Sequence, residues 1–578
     1  MSVIVTTDGR SGTLRVCMEA LCHQTQPAAD FEAIVVAVGA ADVAHAALST
    51  LATPYAMRVI RRRDDNPAAA RNHGAAAAAG RWCLFLDDDA IADPALLAAH
   101  LRVLRTREVI GLGHLVITPA THGDGFGRYH AQRWNDRQTR LDEGERPSFM
   151  DCYGNNMSVS RTAFLDAGGF AVDVPHAYDR ELGYRLVQQG ATLVSIPDAV
   201  ARKEERGGFQ ELTTEVERTG AADIALYRRH PSTLPHLELG RFTDVRHRVT
   251  LLRRFLLAMD LPLRPLAIAG LLLGRRSWSS EWCRFLRGYC YWRGVRHAVH
   301  DTDMWRRLIH GPVILMYHAF GEPHERPSCY VIPGRRFAWH MAWLKWRRYP
   351  VLSLEDFLRH RHEFRLPPAR AVIITVDDGY ADNRTVAYPI MRRYNIPATI
   401  FPVSSFVGDR NRWDSDGELA GRPLLSWSEM REMLQGGIHF GVHTRRHLPL
   451  TTLSPREVWD EIGGAKEEME RALVRPILSL SYPHGRFDAV SEEMAEQAGI
   501  LGACCSYPGV NDPVVPPYAL RRIEVRGTDS FAHFVVALQF GLPGVIPRSW
   551  RRHTSRRDAA TDSGKAQATR EARRWGWT

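Results

Sequence analysis

Ala371-Val372-Ile373-Ile374-Thr375-Val376-Asp377-Asp378-Gly379-Tyr380 is an apolar, β-branched run that ends on two adjacent carboxylates. Such a run reads as a strand buried on both faces. About 65 residues further on comes His443-Thr444-Arg445-Arg446-His447. Two imidazoles and a carboxylate make a ready ligand set for zinc, and a second carboxylate beside them could act as a base. Two histidines four apart are, by themselves, more often surface residues. The acid pair and the Tyr482-Pro483-His484-Gly485 turn tip the reading toward metal-assisted hydrolysis.

Working outward, strand-like runs recur from Pro312: ValIleLeuMetTyr, AlaThrIlePhePro, IleHisPheGlyVal and IleLeuSerLeuSerTyr, with helical stretches between them. Repeated strand–helix units over about 235 residues predict a β/α barrel with its chemistry on the strand-end loops. Residues 1–110 alternate in the same way and predict a parallel sheet covered by helices. There, TrpCysLeuPheLeu ends in Asp87-Asp88-Asp89, at the strand end where ligands of such sheets gather. Asp87 and Asp89 are hard oxygen ligands suited to Mg²⁺ or Mn²⁺, although an acidic triplet is by itself often a solvated loop.

At 578 residues the chain predicts at least two domains. The formal charge of +10 is uneven. Residues 241–310 hold 14 Arg against 5 acids, and residues 548–578 hold 9 Lys/Arg against 3 acids. No nucleic-acid motif accompanies this basicity, so nucleic acid is not expected as a partner and an anionic membrane face is. The cleanest apolar run, Pro265–Gly274, falls well short of the roughly 20 residues that span a bilayer. Two readings of the connector stand: surface helices with Trp278, Trp282 and Trp292 at the interface, or a helical linker packed on the first domain. Nine scattered cysteines without a Cys-x-x-Cys pair, and a start that runs directly into a strand, predict a cytoplasmic setting, peripheral at the inner membrane face if the connector binds there. The Arg-rich tail reads as disordered.

The N-terminal blocks carry a resemblance. AlaAlaAlaArg71-Asn72-HisGly, LeuPheLeuAsp87-Asp88-Asp89, TyrGlyAsn155-Asn156-MetSerValSerArg, AlaGlyGlyPhe and TyrAsp179-ArgGluLeu stand in the order of glycosyltransferase family 2. The resemblance covers residues 1–235. It implies a GT-A, Rossmann-like fold that binds a nucleotide diphosphate sugar through Thr6, Arg71, Asn72, Asp87 and Asp89, with Mg²⁺ or Mn²⁺ on Asp87 and Asp89. It also implies an inverting transfer in which Asp179 deprotonates the acceptor hydroxyl. A positioned carboxylate helps here because a sugar hydroxyl is a poor nucleophile. Two departures are Ala37, where the family commonly has an acid, and Tyr178, where a glutamate often precedes the base.

The C-terminal blocks ValIleLeuMetTyrHis318, ThrValAsp377-Asp378-GlyTyr, ProAlaThrIlePhe, GlyValHis443-ThrArgArgHis447 and ArgArgIleGluVal resemble the polysaccharide deacetylases. The resemblance covers about 311–540 and implies a distorted (β/α) barrel that removes N-acetyl, less often O-acetyl, groups from sugars. Asp378, His443 and His447 would hold Zn²⁺ or another divalent metal, with Asp377 as the base. A backbone N–H near Tyr482 would help to stabilise the oxyanion. The family's Leu-x-Leu-His block is not visible. Of the imidazoles His318, His484 and His533, His484 is the preferred acid. Ser481 stands near where many members have an arginine that orients the base.

These readings divide the chain into 1–235, a connector 236–310, 311–547 and a tail 548–578. They predict an α/β enzyme of glycan assembly, which transfers a sugar to a saccharide or lipid-linked saccharide acceptor and deacetylates an amino sugar. An alternative keeps the hydrolase and makes the first domain a degenerate sugar-binding module. A third reading makes the chain a membrane-surface scaffold.

Overall fold

The apolar runs of the first 110 residues all become strands. The computed structural model describes every residue except 9–11, 40, 108, 121–123, 206, 246, 262–279, 323, 416 and 542–578, and the side chains of 41–43 and 247. The described residues form two units: 1–230 with 255–300, and 231–254 with 301–541.

In the first unit, β1 (Ser2–Thr7), β2 (Glu32–Val38), β3 (Ala56–Arg62) and β4 (Trp82–Asp87) lie parallel in the order β3-β2-β1-β4. Period-two alternation sends Val3, Val5, Val35, Leu84 and Leu86 into one core, and Ile4, Ile34, Val36, Cys83 and Phe85 into the other. Burial on both faces explains why these strands read as unbroken apolar runs. The sheet continues through β5 (Ile91–Ala92), β6 (Val109–Pro119), β7 (Asn156–Ser160) and β8 (Thr192–Glu205), in the order β4-β7-β6-β8-β5. The pairs β4–β7 and β6–β7 are antiparallel. Asp87 is the last residue of β4 and pairs in register with Thr6 of β1, so both stand at the sheet's carboxyl edge.

The connector forms helices His247–Met259, Ser280–Ala298 and Thr302–Ile309. Helix Ser280–Ala298 packs on Phe209–Arg229 at two glycines. A Cβ on Gly220 would lie 2.2 Å from the Tyr291 carbonyl oxygen, and one on Gly294 would lie 1.9 Å from that of Glu217. Trp292 is buried there, as the packed-linker reading has it for this residue. Trp278, the run Pro265–Gly274 and the tail 548–578 lie outside the described residues. Among those described, no helix is long and apolar enough to cross a membrane.

In the second unit, β9 (Val313–Tyr317) precedes a short parallel pair, β10 (Ala319–Gly321) and β11 (Val331–Pro333). Then come β12 (Val351–Leu352), β13 (Val372–Asp378), β14 (Ala398–Pro402), β15 (Ile438–Phe440), β16 (Ser479–Ser481), β17 (Gly502–Cys504) and β18 (Ile523–Glu524). The order β15-β14-β13-β9-β18 is parallel throughout, with β12 on the amino end of β13. Bridges Val442–Leu480 and Cys504–Leu520 join the β16–β17 pair to both sides of this sheet and close it into a distorted barrel. Every residue of β13 is buried.

Candidate functional site

The acid pair lies at the carboxyl end of β13, where Asp378 turns into the left-handed region at φ 71°. His443 Nε2 lies 3.4 Å and His447 Nε2 3.5 Å from Asp378 Oδ1. The three ligand atoms lie within 4.8 Å of one another, the one such group of three or more among the described residues. The loop after β15 that carries the histidines also holds Thr444 (φ 63°) and His447 (φ 61°) with positive φ. Strain of about 1–3 kcal/mol per residue persists only where the surroundings impose it. Here the buried Glu461 carboxylate accepts the backbone N–H groups of Arg445 and Arg446 at 3.0 and 2.9 Å, and Thr444 Oγ1 accepts that of His447 at 3.0 Å.

His443 Nδ1 donates to the Ser481 carbonyl at 2.8 Å, which directs its Nε2 at Asp378. Against the opposing effect of burial, the Asp378 hydrogen bond and the Asp377 charge raise the imidazole's pKa, and a metal there would take the place of the Nε2 proton. Burial would raise both carboxyls. For Asp378 the His443 hydrogen bond and the neighbouring His447 more than reverse this. For Asp377 the Arg522 guanidinium does so, with His443 behind it. Burial and the charge of His443 push His447 down to about 3, so it is neutral near pH 7, as a metal ligand must be. The His447 Nδ1 atom is buried without a hydrogen-bond partner. Two imidazole nitrogens and one carboxylate oxygen converging on one point fit a divalent cation such as Zn²⁺, which would displace the proton that His443 and Asp378 share.

Sequence reading missed Arg522. Its Nη1 and Nη2 donate to Asp377 Oδ1 and Oδ2 at 2.7 and 2.8 Å, Nη2 also donates to Ser481 Oγ at 2.9 Å, and Nε donates to the Cys505 carbonyl. The arginine expected near position 481 is thus supplied from the ArgArgIleGluVal segment, with Ser481 Oγ as its acceptor. One expectation needs correction. The Tyr482 N–H is already donated to the Cys504 carbonyl at 3.1 Å, so it is no free oxyanion donor, and its ring is buried on Phe487. His533 stands in the capping box of helix Phe531–Phe540. The exposed His484 (φ 57°) has its ring 4.8 Å from that of His447, and Trp413 lies 5.1 Å from the same ring.

In the first unit, Arg71 Nη2 pairs with Asp87 Oδ1 at 2.6 Å, and Lys203 Nζ pairs with Asp89 Oδ2 at 2.9 Å. Nothing in the sequence signalled Lys203, which comes from β8. Asp89 Oδ1 is buried without a hydrogen-bond partner, an orphaned acceptor that suits a cation. Arg71 also donates to the Tyr178 hydroxyl, so Tyr178 helps to orient it. Asp179 accepts from the Gly154 N–H at 3.1 Å and the Arg180 N–H at 2.8 Å, and burial raises its carboxyl above the usual range. Both ends of the Asn72 amide bond the backbone of Phe170, at 2.8 Å each. Thr6 stands in register beside Asp87.

Comparison with known proteins agrees with both units. The family description "Polysaccharide deacetylase" matches residues 365–503, and "Glycosyl transferase family 2" matches residues 2–167. YxkH of Bacillus subtilis, whose name assigns it provisionally as a polysaccharide deacetylase, is 30% identical over 234 residues, 40% of this chain and 78% of its own. The poly-beta-1,6-N-acetyl-D-glucosamine N-deacetylase of Staphylococcus aureus is 24% identical over 220 residues, 36% of this chain and 71% of its own. The solved mannosyltransferase PcManGT of Pyrobaculum calidifontis, in complex with GDP-Man and Mn²⁺, is 17% identical with a TM-score of 0.35, covering 52% of this chain and 87% of its own. The chain belongs to the polysaccharide deacetylase family through its C-terminal domain and carries a glycosyltransferase family 2 domain at its N-terminus.

Proposed function

We propose that the C-terminal domain hydrolyses the N-acetyl group of an amino sugar, and that the N-terminal domain transfers a sugar, with inversion, from a nucleotide diphosphate donor to a saccharide or lipid-linked saccharide. The observation that carries the first half is the pairing of Asp377 with Arg522 beside the Asp378, His443 and His447 group. Asp378, His443 and His447 would hold a divalent metal, and such an ion would supply Lewis acidity toward the attacking water and the amide carbonyl. Asp377, kept ionised by Arg522, takes the proton of the attacking water. His484 gives a proton to the departing amine. The relative named as an N-deacetylase favours an amide over an ester as the target.

In the N-terminal domain, Asp179 takes the proton of the acceptor hydroxyl, its raised carboxyl being a stronger base than an exposed one. Asp87 and Asp89 would hold Mg²⁺ or Mn²⁺ against the donor diphosphate, and the orphaned Asp89 Oδ1 supports this role. Tethering makes consecutive action on one molecule efficient, because one site raises the effective concentration of the product near the other. The arginine-rich connector is proposed to bring the chain to an anionic membrane.

The test supplies full-length chain with a panel of nucleotide sugars and an N-acetylated oligosaccharide, and follows products by mass spectrometry. Gain of one sugar, then loss of an acetyl group abolished by Asp377→Asn, is the expected result. A second reading, binding without transfer, draws on the pairing of Asp87 and Asp89 with Arg71 and Lys203. Donor binding without any product in that assay would favour it.

A further inference from the structure

The amino ends of the barrel strands enclose a cavity that the reaction does not use. Val313, Pro350 and Arg370, at the starts of β9, β12 and β13, line it, whereas Asp377 and Asp378 end β13. The seven residues of β13 separate the two faces by roughly 20 Å. The cavity measures about 970 Å³, the size of a small-molecule site.

Its lining is strongly basic. Arg254, Arg306, Arg347, Arg370 and Arg521 border it, and Asp303 is the one acid. The Asp303 carboxylate is already taken by Arg307 at 2.7 Å. None of the five lining arginines forms an ion pair within 4 Å among the described residues. Arg254 is partly buried, with Nη2 on the Ile309 carbonyl and Nε buried without a hydrogen-bond partner. Arg370 is held in place by the Tyr349 hydroxyl at 2.5 Å and by the face of that ring at 4.4 Å. Asn511 clamps the backbone of Arg521 through two bonds of 2.8 Å. Arg254 and Arg370 are close enough to depress each other's neighbour, His310, whose pKa falls to about 4 through burial first and Arg254 next. Like charges gathered in a concave, partly dry wall repel unless a counter-charge enters.

We infer that this cavity binds a phosphate-bearing anion. Several planar guanidinium forks converging on one space match the multiple oxygens of a phosphate or diphosphate better than a single carboxylate. The remaining wall is apolar, with Val245, Leu251 and Phe540 each more than a third exposed, so the phosphate is attached to an apolar or aromatic body. Such a group comes either from a lipid headgroup or from a free phosphate ester.

The test uses the full-length chain. Titration calorimetry with inorganic phosphate, at matched ionic strength, reads the free source. Co-sedimentation with phosphatidylcholine vesicles, with and without phosphatidate, reads the lipid source. The paired substitution Arg306→Gln with Arg370→Gln should weaken whichever binding is seen at least tenfold while acetyl release stays unchanged. The exposed Arg306→Gln alone, which threatens no folding contact, should weaken it severalfold. Saturable phosphate binding lost in these variants assigns a free ester, and binding only to phosphatidate vesicles, equally lost, assigns a lipid. Absence of both, or binding indifferent to both variants, overturns the inference.

Discussion

Arg522 grips Asp377 with two hydrogen bonds, of 2.7 and 2.8 Å, from 145 residues further along the chain. Both side chains are buried, and Arg522 has no measurable exposure. A planar fork on a carboxylate holds the base in one orientation and keeps it ionised in a place where burial alone would protonate it.

Arg522→Gln should therefore lower kcat for acetyl release by about 10²-fold or more. It should also move the acidic limb of the kcat/KM profile to higher pH, because Arg522 is the largest influence lowering the Asp377 carboxyl. Arg522→Lys should not restore activity, since an ammonium cannot make the paired contact. Stability should fall by about 3–5 kcal/mol, the usual cost of leaving a buried charge unpaired.

His443→Gln, His447→Gln and Asp378→Asn should each cut bound zinc, read by elemental mass spectrometry after dialysis. Replacing Glu461 with Gln should act more mildly, about 10- to 100-fold on metal affinity, because it loosens the loop and not a ligand.

Asp512 offers a test of stability against pH. It is buried, accepts from Thr243 N and Oγ1 at 2.7 and 2.6 Å, and burial pushes its carboxyl up to about 6. An unfolded aspartate titrates near about 3.9. Since the folded value is higher, this residue's contribution is fully present below about pH 4 and is lost as pH rises through about 6. Asp512→Asn should thus exceed the parent in stability by about 2–3 kcal/mol at pH 7.5, and urea midpoints should converge by pH 4.

The crossing of Ser280–Ala298 on Phe209–Arg229 depends on the missing side chain of Gly294. With a Cβ at 1.9 Å from the Glu217 carbonyl oxygen, Gly294→Ala must push the helices apart. The expected loss is about 1–3 kcal/mol, read as a lower melting temperature.

The sequence by itself determined the strands, because unbroken apolar runs such as Ile4–Val5 and Val372–Val376 can be satisfied only by burial on both sides of a sheet. It also marked Asp377, Asp378, His443 and His447, since strand ends and the short loop after β15 carry their chemistry within a few residues. The close spacing of His443 and His447 survives folding; which atoms they face does not follow from spacing. Only the tertiary structure decided that Arg522 and not position 481 holds the base, that Lys203 meets Asp89, that Asn72 is spent on Phe170 and that the Tyr482 N–H is already bonded. Each is a pairing between distant segments, set by barrel closure or sheet register, and register is a property of how strands pack rather than of any one strand.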